Sequence, residues 1–398
     1  MAKLLLKKPI KIMEVPIRMV NQIESKKHRL QQLLESLTSR KPIKQAIIAL
    51  ESINRSFQWI GTKGKTDADD KKVNQDTPFF LASIDKMYNA AIVMKLSETG
   101  ALNLNNKIST YLPDTLTKGL HNLNGVDYTE RIRVRHLLSH TSGLADWLED
   151  SPKNGKSLVD QVVEEGDREV TLEDMAALVR NRLQPHFPPQ DLTAKRPKVR
   201  YSDTNYMLLI AIIEEVTGLT LAEVHRKTFI EPMNLTHTYF PGHSGPIDPT
   251  PDPMILRANG QEIQIPHLIH SIRGIYSTAR DTLTFLRHLV QNDIFQNQKT
   301  FSLMQENWNR FGFPLDRAAL RAPSWPIEYG LGLMRFRLPR IFSPLHPMPP
   351  VVGHTGSTGC WLFYCPQMDV LTAGSVEEVT AGAVPFRIVP KILNILRS

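Results

Sequence analysis

The sequence predicts an α+β fold in which helices flank an antiparallel sheet and a mainly helical domain is inserted between its two halves. Strand patterns occur near the beginning and the end of the chain, whereas helical periodicity dominates residues 101–320. With 398 residues, 41% of them hydrophobic and 22% charged, the chain is long enough for two sizeable cores. We therefore expect residues 46–100 and 321–398 to form the sheet domain and residues 101–320 to form the helical domain.

Residues 1–45 form a basic N-terminal extension. They carry eleven Lys and Arg against three Glu, which accounts for the whole formal net charge of +8 and leaves 37 basic and 37 acidic residues in the rest of the chain. A basic tail on a neutral body is not a basic binding face, so no nucleic-acid partner is predicted. Four leucines at helical spacing favour a solvated, partly helical segment, and weak contact with an anionic membrane surface is the alternative.

The same sequence predicts a cytoplasmic protein. No apolar run is long enough to span a membrane, and the apolar run near the start has three residues where a secretory signal needs roughly 7 to 15. The only two cysteines, Cys360 and Cys365, lie at an odd offset in one predicted strand, so their side chains should point to opposite faces and form no disulfide with each other.

Periodicity and turn residues place the individual elements. The predicted strands are residues 46–50, 57–60, 329–338, 360–364 and 370–373, with the last two joined as a hairpin, and the clearest predicted helices are residues 85–98, 205–217, 281–290 and 384–396. Three long loops, residues 149–157, 185–200 and 241–253, interrupt the helical middle, and we expect them to form walls of a binding site.

A serine and a lysine one helical turn apart form the first candidate motif. Ser83 and Lys86 lie where a short extended run turns into the predicted helix 85–98, so the hydroxyl and the amine share a face. A hydroxyl becomes a nucleophile when a base takes its proton, and lysine serves as that base only in its neutral form. Taken alone, the pattern fits a helix-capping serine followed by an exposed lysine better than it fits a catalytic pair.

Tyr201 and Asp203 form the second motif, on a loop just before the predicted helix 205–217. A phenol beside a lysine can relay a proton to a leaving group. The alternative interpretation makes Tyr201 a packing aromatic residue and Asp203 the cap of the following helix.

The third motif is a glycine-rich run that leads into the predicted strand 360–364. It contains His354, Thr355, Gly356 and Ser357. Small residues beside an edge strand let a substrate approach the backbone closely, and a strand amide can donate a hydrogen bond to an oxyanion. The alternative is a plain glycine-rich turn.

In this order, the three motifs resemble those of the serine hydrolases related to the penicillin-recognising enzymes. These are the class C beta-lactamases, the D-alanyl-D-alanine carboxypeptidases and the esterases that share their fold. Residues 136–144 and 273–281 look like two further segments of that family, so the resemblance covers about residues 45–398.

The resemblance implies a role for each motif. Ser83 would be the nucleophile, with Lys86 and Tyr201 as base and proton relay. The backbone N–H groups of Ser83 and Ser357 would form the oxyanion hole. The side of the site that receives the acyl group would be lined by His354, Thr355 and Gly356. No metal or cofactor is implied.

Two positions depart from the beta-lactamase pattern: Asp203 replaces an asparagine and His354 replaces a lysine. An ionised Asp203 about 4 Å from Lys86 would favour the ammonium form by roughly 4 kcal/mol at an effective dielectric constant near 20. Either Asp203 points away or is protonated, or Lys86 stays charged and stabilises a Tyr201 phenolate that deprotonates the serine; we favour the second. An imidazole that is mostly neutral at pH 7 should weaken carboxylate recognition and favour uncharged esters over beta-lactams.

The sequence therefore predicts a serine hydrolase, and most specifically an esterase that forms an acyl-enzyme on Ser83 with a small-molecule ester. A D-amino-acid peptidase or amidase, or a beta-lactamase, with the same machinery is the first alternative. A non-catalytic binding protein that keeps the fold is the second. No sequence pattern specifies the acyl chain length or the oligomeric state.

Overall fold

A computed structural model describes residues 17–66, 71–313, 315, 316, 323, 326–338 and 347–397. Its strands are β1 Ala46–Ser52, β2 Gln58–Lys63, β3 Phe79–Phe80, β4 Asn122–Leu123, β5 Val126–Asp127, β6 Arg257–Ala258, β7 Gln261–Glu262, β8 Tyr276–Ser277, β9 Asn309–Arg310, β10 Ile327–Tyr329, β11 Met334–Phe336, β12 Val351–Thr355, β13 Trp361–Cys365 and β14 Val370–Ser375. Its α-helices are α1 Ile17–Thr38, α2 Asp85–Glu98, α3 Asp114–Thr117, α4 Val134–Leu138, α5 Leu158–Glu165, α6 Leu172–Arg182, α7 Asp203–Thr217, α8 Leu221–His225, α9 Pro266–Ser271, α10 Ala279–Val290, α11 Thr300–Leu303 and α12 Pro385–Arg397.

Both ends of the chain contribute to one eight-stranded sheet. Its strand order is β2-β1-β14-β13-β12-β11-β10-β9, and each neighbouring pair is antiparallel. Strand β1, from the beginning of the chain, pairs with β14, from its end, with Ile47 opposite Ser375 and Ser52 opposite Val370. This pairing confirms the predicted sheet built from both termini.

Helices cover both faces of the sheet, which is why its central strands are buried almost throughout. Alternate residues of β1 point to opposite sides: Ile47 packs into the core that contains α2, α7 and α10, whereas Ile48 packs into a second core with α1 and α12. Cys360 lies in the first core and Cys365 in the second, and both thiols are free and buried. The prediction that they form no disulfide is confirmed.

The leucine-rich side of α1 packs against the sheet instead of lying in solvent. Leu30 and Leu34 are fully buried, and α1 contacts β1, β2 and α12. The expectation of a solvated segment is therefore wrong for this helix, because the outer face of the sheet carries apolar side chains that need a cover. Residues 1–16 lie outside the described residues, and the proposed division into domains stays a prediction.

Two details of the C-terminal strands differ from the sequence prediction. The predicted strand 329–338 is interrupted after β10 by a turn in which Gly332 has φ +73°, and β11 follows the turn. His354 and Thr355 belong to β12, a strand that the sequence analysis did not predict. This strand lies between β11 and β13, so the motif is not at a sheet edge.

The remaining strands form three two-stranded sheets, of which β3 with β8 is important for the site. It fixes the backbone just before Ser83, since Phe79 pairs with Ser277 and Phe80 with Tyr276. Among the helices that the structure describes, none combines the length and the apolar character needed to cross a bilayer.

Candidate active site

Ser83 lies on a single tight turn, Ala82–Ile84, that joins β3 to α2. The backbone before it is fixed, because the N–H of Leu81 donates to the carbonyl oxygen of Ile275 at 2.9 Å. Ala82 has φ +43°, in the left-handed region that an alanine rarely adopts. The strained backbone thus directly precedes the candidate nucleophile.

Gly356 brings the third motif against this turn. A Cβ atom at Gly356 would lie 2.9 Å from Ala82 Cβ and 3.0 Å from the carbonyl oxygen of Leu81, so any larger residue would push the two segments apart. As a result, Ser83 and Ser357 line the same cavity. Their backbone N–H groups remain our prediction for the oxyanion hole.

Lys86 makes three polar contacts within the site. Its Nζ donates to Ser83 Oγ at 3.2 Å and lies 2.6 Å from Asp203 Oδ1 and 3.9 Å from Asp85 Oδ1. The Lys86 side chain is only 6% exposed. The helical spacing therefore places the serine and the lysine on one face, as predicted, and Asp203 points at Lys86 rather than away from it.

The charge state of Lys86 follows from these contacts. Burial lowers the pKa of Lys86, but the nearby Asp203, Tyr201 and Asp85 outweigh it and raise this pKa well above its usual value. Lys86 is thus an ammonium ion in the resting site. The alternative in which Asp203 points away from Lys86 does not describe this structure.

Tyr201 is a buried phenol beside the pair. Lys86 Nζ lies 5.4 Å from the centre of the Tyr201 ring. Among the described residues, the phenol oxygen has no partner with hydrogen-bond geometry, although Lys86 and Ser83 are near enough to lower its pKa. Burial has the larger effect and raises the pKa of Tyr201 well above its usual value. This direction opposes the standing phenolate that we favoured from the sequence.

His354 lies behind the site as a neutral imidazole. It is fully buried, its Nδ1 donates to the carbonyl oxygen of Thr355 at 2.6 Å, and its Nε2 is 3.0 Å from Tyr329 Oη. Burial, together with the charge of Lys86, lowers the pKa of His354 to about 3. Of the third motif, only Ser357 lines the cavity, so His354, Thr355 and Gly356 do not take the lining role that the resemblance implies.

His140 is a part of the site that the three motifs missed. Its ring lies 4.3 Å from the Tyr201 ring and 4.6 Å from the Tyr329 ring, centre to centre. Its Nδ1 accepts from the N–H of Ser202 at 3.2 Å and faces Asn205 Nδ2 at 3.0 Å. These contacts hold the Tyr201 ring. Residues 136–144 resemble a segment of the family, but no local sequence pattern shows that His140 is the residue of this segment that contacts Tyr201. The backbone of His140 has φ +55°.

The cavity at Ser83 has a volume of about 80 Å³ and a largely apolar wall. It is lined by Phe80, Ala82, Ser83, Asp85, Lys86, Trp147, Leu148, Asp203, Tyr206, Met207, Ile210, Ile272 and Ser357. None of these residues comes from the loops 149–157, 185–200 and 241–253, so the expectation that those loops wall the site is wrong for this cavity. Helices α2 and α7 provide six of the thirteen lining residues instead.

Two buried polar atoms on this wall have no hydrogen-bond partner within the described part of the chain: Asp85 Oδ1 and Trp147 Nε1. Burial raises the pKa of Asp85 to about 6, despite the opposing charge of Lys86. Asp85 Oδ1 is an acceptor and Trp147 Nε1 a donor, and each is left without a hydrogen bond among the described residues. No group of three His, Cys, Asp or Glu side chains within the described ranges could hold a metal ion.

Comparison with known proteins decides the family. The sequence model of the Beta-lactamase family matches residues 53–378. The chain belongs to this family. Members of the Beta-lactamase family are serine hydrolases, and the match confirms both the resemblance and the fold class that the sequence predicted.

Individual relatives of the Beta-lactamase family are distant. Penicillin-binding protein 4* of Bacillus subtilis is 28% identical over 230 residues, which are 54% of this chain and 42% of that protein. The chain therefore matches less than half the length of this relative. The structure of D-amino acid amidase from Ochrobactrum anthropi SV3 superimposes with a TM-score of 0.69 at 19% identity, covering 96% of this chain and 98% of that one.

A hydrolase with promiscuous acyltransferase activity, EstCE1, superimposes with a TM-score of 0.67 at 23% identity and covers 93% of this chain and 99% of that one. At these identities the two structures show a shared fold, and they do not choose between amide and ester substrates.

Proposed function

We propose that this member of the Beta-lactamase family is a carboxylic-ester hydrolase that forms an acyl-enzyme on Ser83. The observation that carries the proposal is the Ser83 hydroxyl, hydrogen-bonded to Lys86 Nζ at 3.2 Å on the wall of a small apolar cavity. Lys86 is the only cation on the described wall, and Asp203 neutralises it. A substrate carboxylate would find no free cation there, which favours uncharged esters over beta-lactams.

The first step requires Lys86 to lose a proton before it can act as a base. Asp203 Oδ1, 2.6 Å from Lys86 Nζ, is the acceptor within reach. When the proton moves to Asp203, Lys86 becomes an amine and takes the proton of Ser83 Oγ as this oxygen attacks the ester carbonyl. The tetrahedral oxyanion would be stabilised by the backbone N–H groups of Ser83 and Ser357.

The second step requires a proton for the departing alcohol. Tyr201 is neutral because burial raises its pKa, so it can donate that proton. Lys86, now an ammonium ion, reprotonates Tyr201, and Asp203 returns its proton to Lys86. The groups regain their starting states. A water molecule then attacks the acyl-enzyme: Lys86, after it again passes its proton to Asp203, takes a proton from this water, and Tyr201 protonates Ser83 Oγ as the acid leaves.

Replacement of the nucleophile tests this proposal. Ser83→Ala should lower kcat/KM for p-nitrophenyl acetate and butyrate by at least about a thousandfold, since the acyl-enzyme can no longer form. The exposed serine of the β1–β2 hairpin offers a matched control, Ser56→Ala, which should leave the rate unchanged. Intact mass after a fluorophosphonate probe should show one adduct on the wild type and none on Ser83→Ala.

Full activity of purified Ser83→Ala would contradict the acyl-enzyme mechanism. A wild-type protein that neither turns over esters or amides nor reacts with the probe would instead support a non-catalytic binding protein with this fold.

One observation favours a second candidate, an amidase for substrates with a free ammonium group. Asp85 Oδ1 is buried on the cavity wall without a hydrogen-bond donor, since Lys86 Nζ is 3.9 Å away, and a substrate ammonium group would supply that donor together with a second positive charge. Turnover of D-phenylalanine amide that exceeds turnover of p-nitrophenyl acetate, and that Asp85→Asn abolishes selectively, would favour the amidase over the esterase. The cytoplasmic location stays a prediction from the sequence.

A further inference from the structure

A second cavity lies between the end of α1 and the beginning of α12. Its volume is about 230 Å³, nearly three times that of the catalytic cavity. The floor is apolar and consists of Leu33, Leu37, Ile43, Val384 and Ile388. We call this cavity the terminal groove. It shares no lining residue with the catalytic cavity, and most of its floor belongs to the second core, on the other face of the sheet.

Four cations surround this apolar floor: Arg40, Lys41, Arg387 and Lys391. All four side chains are exposed, and no acidic residue is among the residues that line the groove. Within the described ranges, none of the four makes a side-chain ion pair or hydrogen bond. Their positive potential is therefore not cancelled locally and extends over the groove.

Several arginines elsewhere in the structure have carboxylate partners. Arg287, which is buried, pairs with Glu51, and Arg335 lies 2.5 Å from Glu328. The cations of the terminal groove thus differ from these arginines in two respects, since they are exposed and they remain available to a ligand.

We propose that the terminal groove binds an anionic amphiphile, with its alkyl chain on the leucine and isoleucine floor and its negatively charged head among the four cations. An apolar surface alone would select any alkyl chain, and exposed cations alone would select any anion. Together they select a molecule that carries both, because arginine forks bind carboxylate or phosphate heads while the floor removes the chain from water. Nothing in this assignment depends on the chemistry at Ser83.

Decanoate is a suitable probe at concentrations at which it is monomeric. In isothermal titration calorimetry of the full chain, we expect decanoate to bind more tightly than butyrate, by about fourfold for each methylene that enters the groove. Decanol, which has the same chain and no charge, should bind at least tenfold more weakly than decanoate. The affinity for decanoate should also fall as salt is raised from 50 to about 300 mM.

Charge reversal identifies the site. The double variant Arg387→Glu with Lys391→Glu should weaken decanoate binding at least tenfold. A matched control reverses one exposed arginine and one exposed lysine on the β1–β2 hairpin, Arg55→Glu with Lys63→Glu, and should leave the affinity unchanged. Equal affinity in the groove variant and in this control would overturn the proposal.

If the charge reversal disturbs folding, a variant that fills the groove tests decanoate binding independently. Ala383 is an exposed lining residue, so Ala383→Trp should block the floor, keep all four cations and abolish the preference for decanoate over butyrate.

Three further results would overturn the proposal. The first is that Ala383→Trp keeps the preference for decanoate over butyrate. The second is that the protein binds phosphatidylglycerol vesicles but not monomeric decanoate, and the third is that it does not bind decanoate while the groove variants change its oligomeric state.

Discussion

The cavity at Ser83 and the terminal groove differ in how their positive charges are paired. In the cavity at Ser83, Lys86 is 6% exposed and ion-paired with Asp203 at 2.6 Å. In the terminal groove, Arg387 and Lys391 are exposed and have no counter-ion within the described residues. A buried charge that lacks a partner costs several kcal/mol in lost hydration, whereas an exposed charge keeps its water.

This difference separates two uses of a cation. Lys86 is buried as an ammonium ion beside acids that raise its pKa, so its protonation state depends on those acids. The cations of the terminal groove need no acid, and for that reason they remain free to meet an anionic ligand.

The largest effect is expected from removing the partner of Lys86. Burial lowers the pKa of Lys86 and Asp203 raises it, so Asp203→Asn should lower this pKa and make the amine available at lower pH. The loss of about 4 kcal/mol of attraction at an effective dielectric constant near 20 corresponds to a shift of roughly three pH units. In this variant solvent takes the Lys86 proton that Asp203 accepts in the wild type, so the acidic limb of kcat/KM should move to lower pH by up to this amount.

The control is Asp85→Asn, which removes a contact to Lys86 at 3.9 Å instead of 2.6 Å and should shift this limb less. An unmoved limb with lost activity in Asp203→Asn would mean that Asp203 is an obligatory proton acceptor and that the pKa of Lys86 does not limit the rate.

The apolar support of the terminal groove should matter for the whole fold. Leu34 is fully buried under the sheet, against Gly61, and does not line the groove. Leu34→Ala should lower the free energy of unfolding by about 3 to 4 kcal/mol, because it leaves a cavity in the second core. Denaturant unfolding measures this change, with the exposed Gln32→Ala on the same helix as control. Equal stabilities would show that α1 is dispensable for the sheet.

A smaller effect is expected from Asp85, the buried acid on the wall of the cavity at Ser83. Burial raises the pKa of Asp85 to about 6, from an ordinary value of 3.8. The stability advantage of the protonated form is complete below pH 4 and is lost as the pH rises through 6. Asp85→Asn should therefore stabilise the protein by about 3 kcal/mol at pH 8 and by little at pH 4. Unfolding curves that show the same effect at both pH values would contradict a buried, ionised Asp85.

Much of the site could be predicted because its residues lie in short local patterns. Ser83 and Lys86 share one helical turn. Asp203 begins the apolar helix α7, and Tyr201 lies two residues before it. The family match over residues 53–378 then supports the order of the three motifs.

His140, Asp85 and Trp147 could not be assigned in this way. Their roles arise from contacts between segments that are distant in the chain, such as the His140 ring against Tyr201. Sequence spacing carries no information on which buried polar atoms remain without a partner, since that depends on every element packed around them.

By itself, the sequence determined four of the longer helices, most of the strands of the sheet and the placement of Ser83 one helical turn before Lys86, because periodicity and turn chemistry act over a few residues. Only the tertiary structure decided that Asp203 faces Lys86, that Tyr201 stays a neutral phenol and that His354 lies behind the cavity rather than on its wall. The physical reason is that charge state and solvent access depend on burial and on partners contributed by remote parts of the chain.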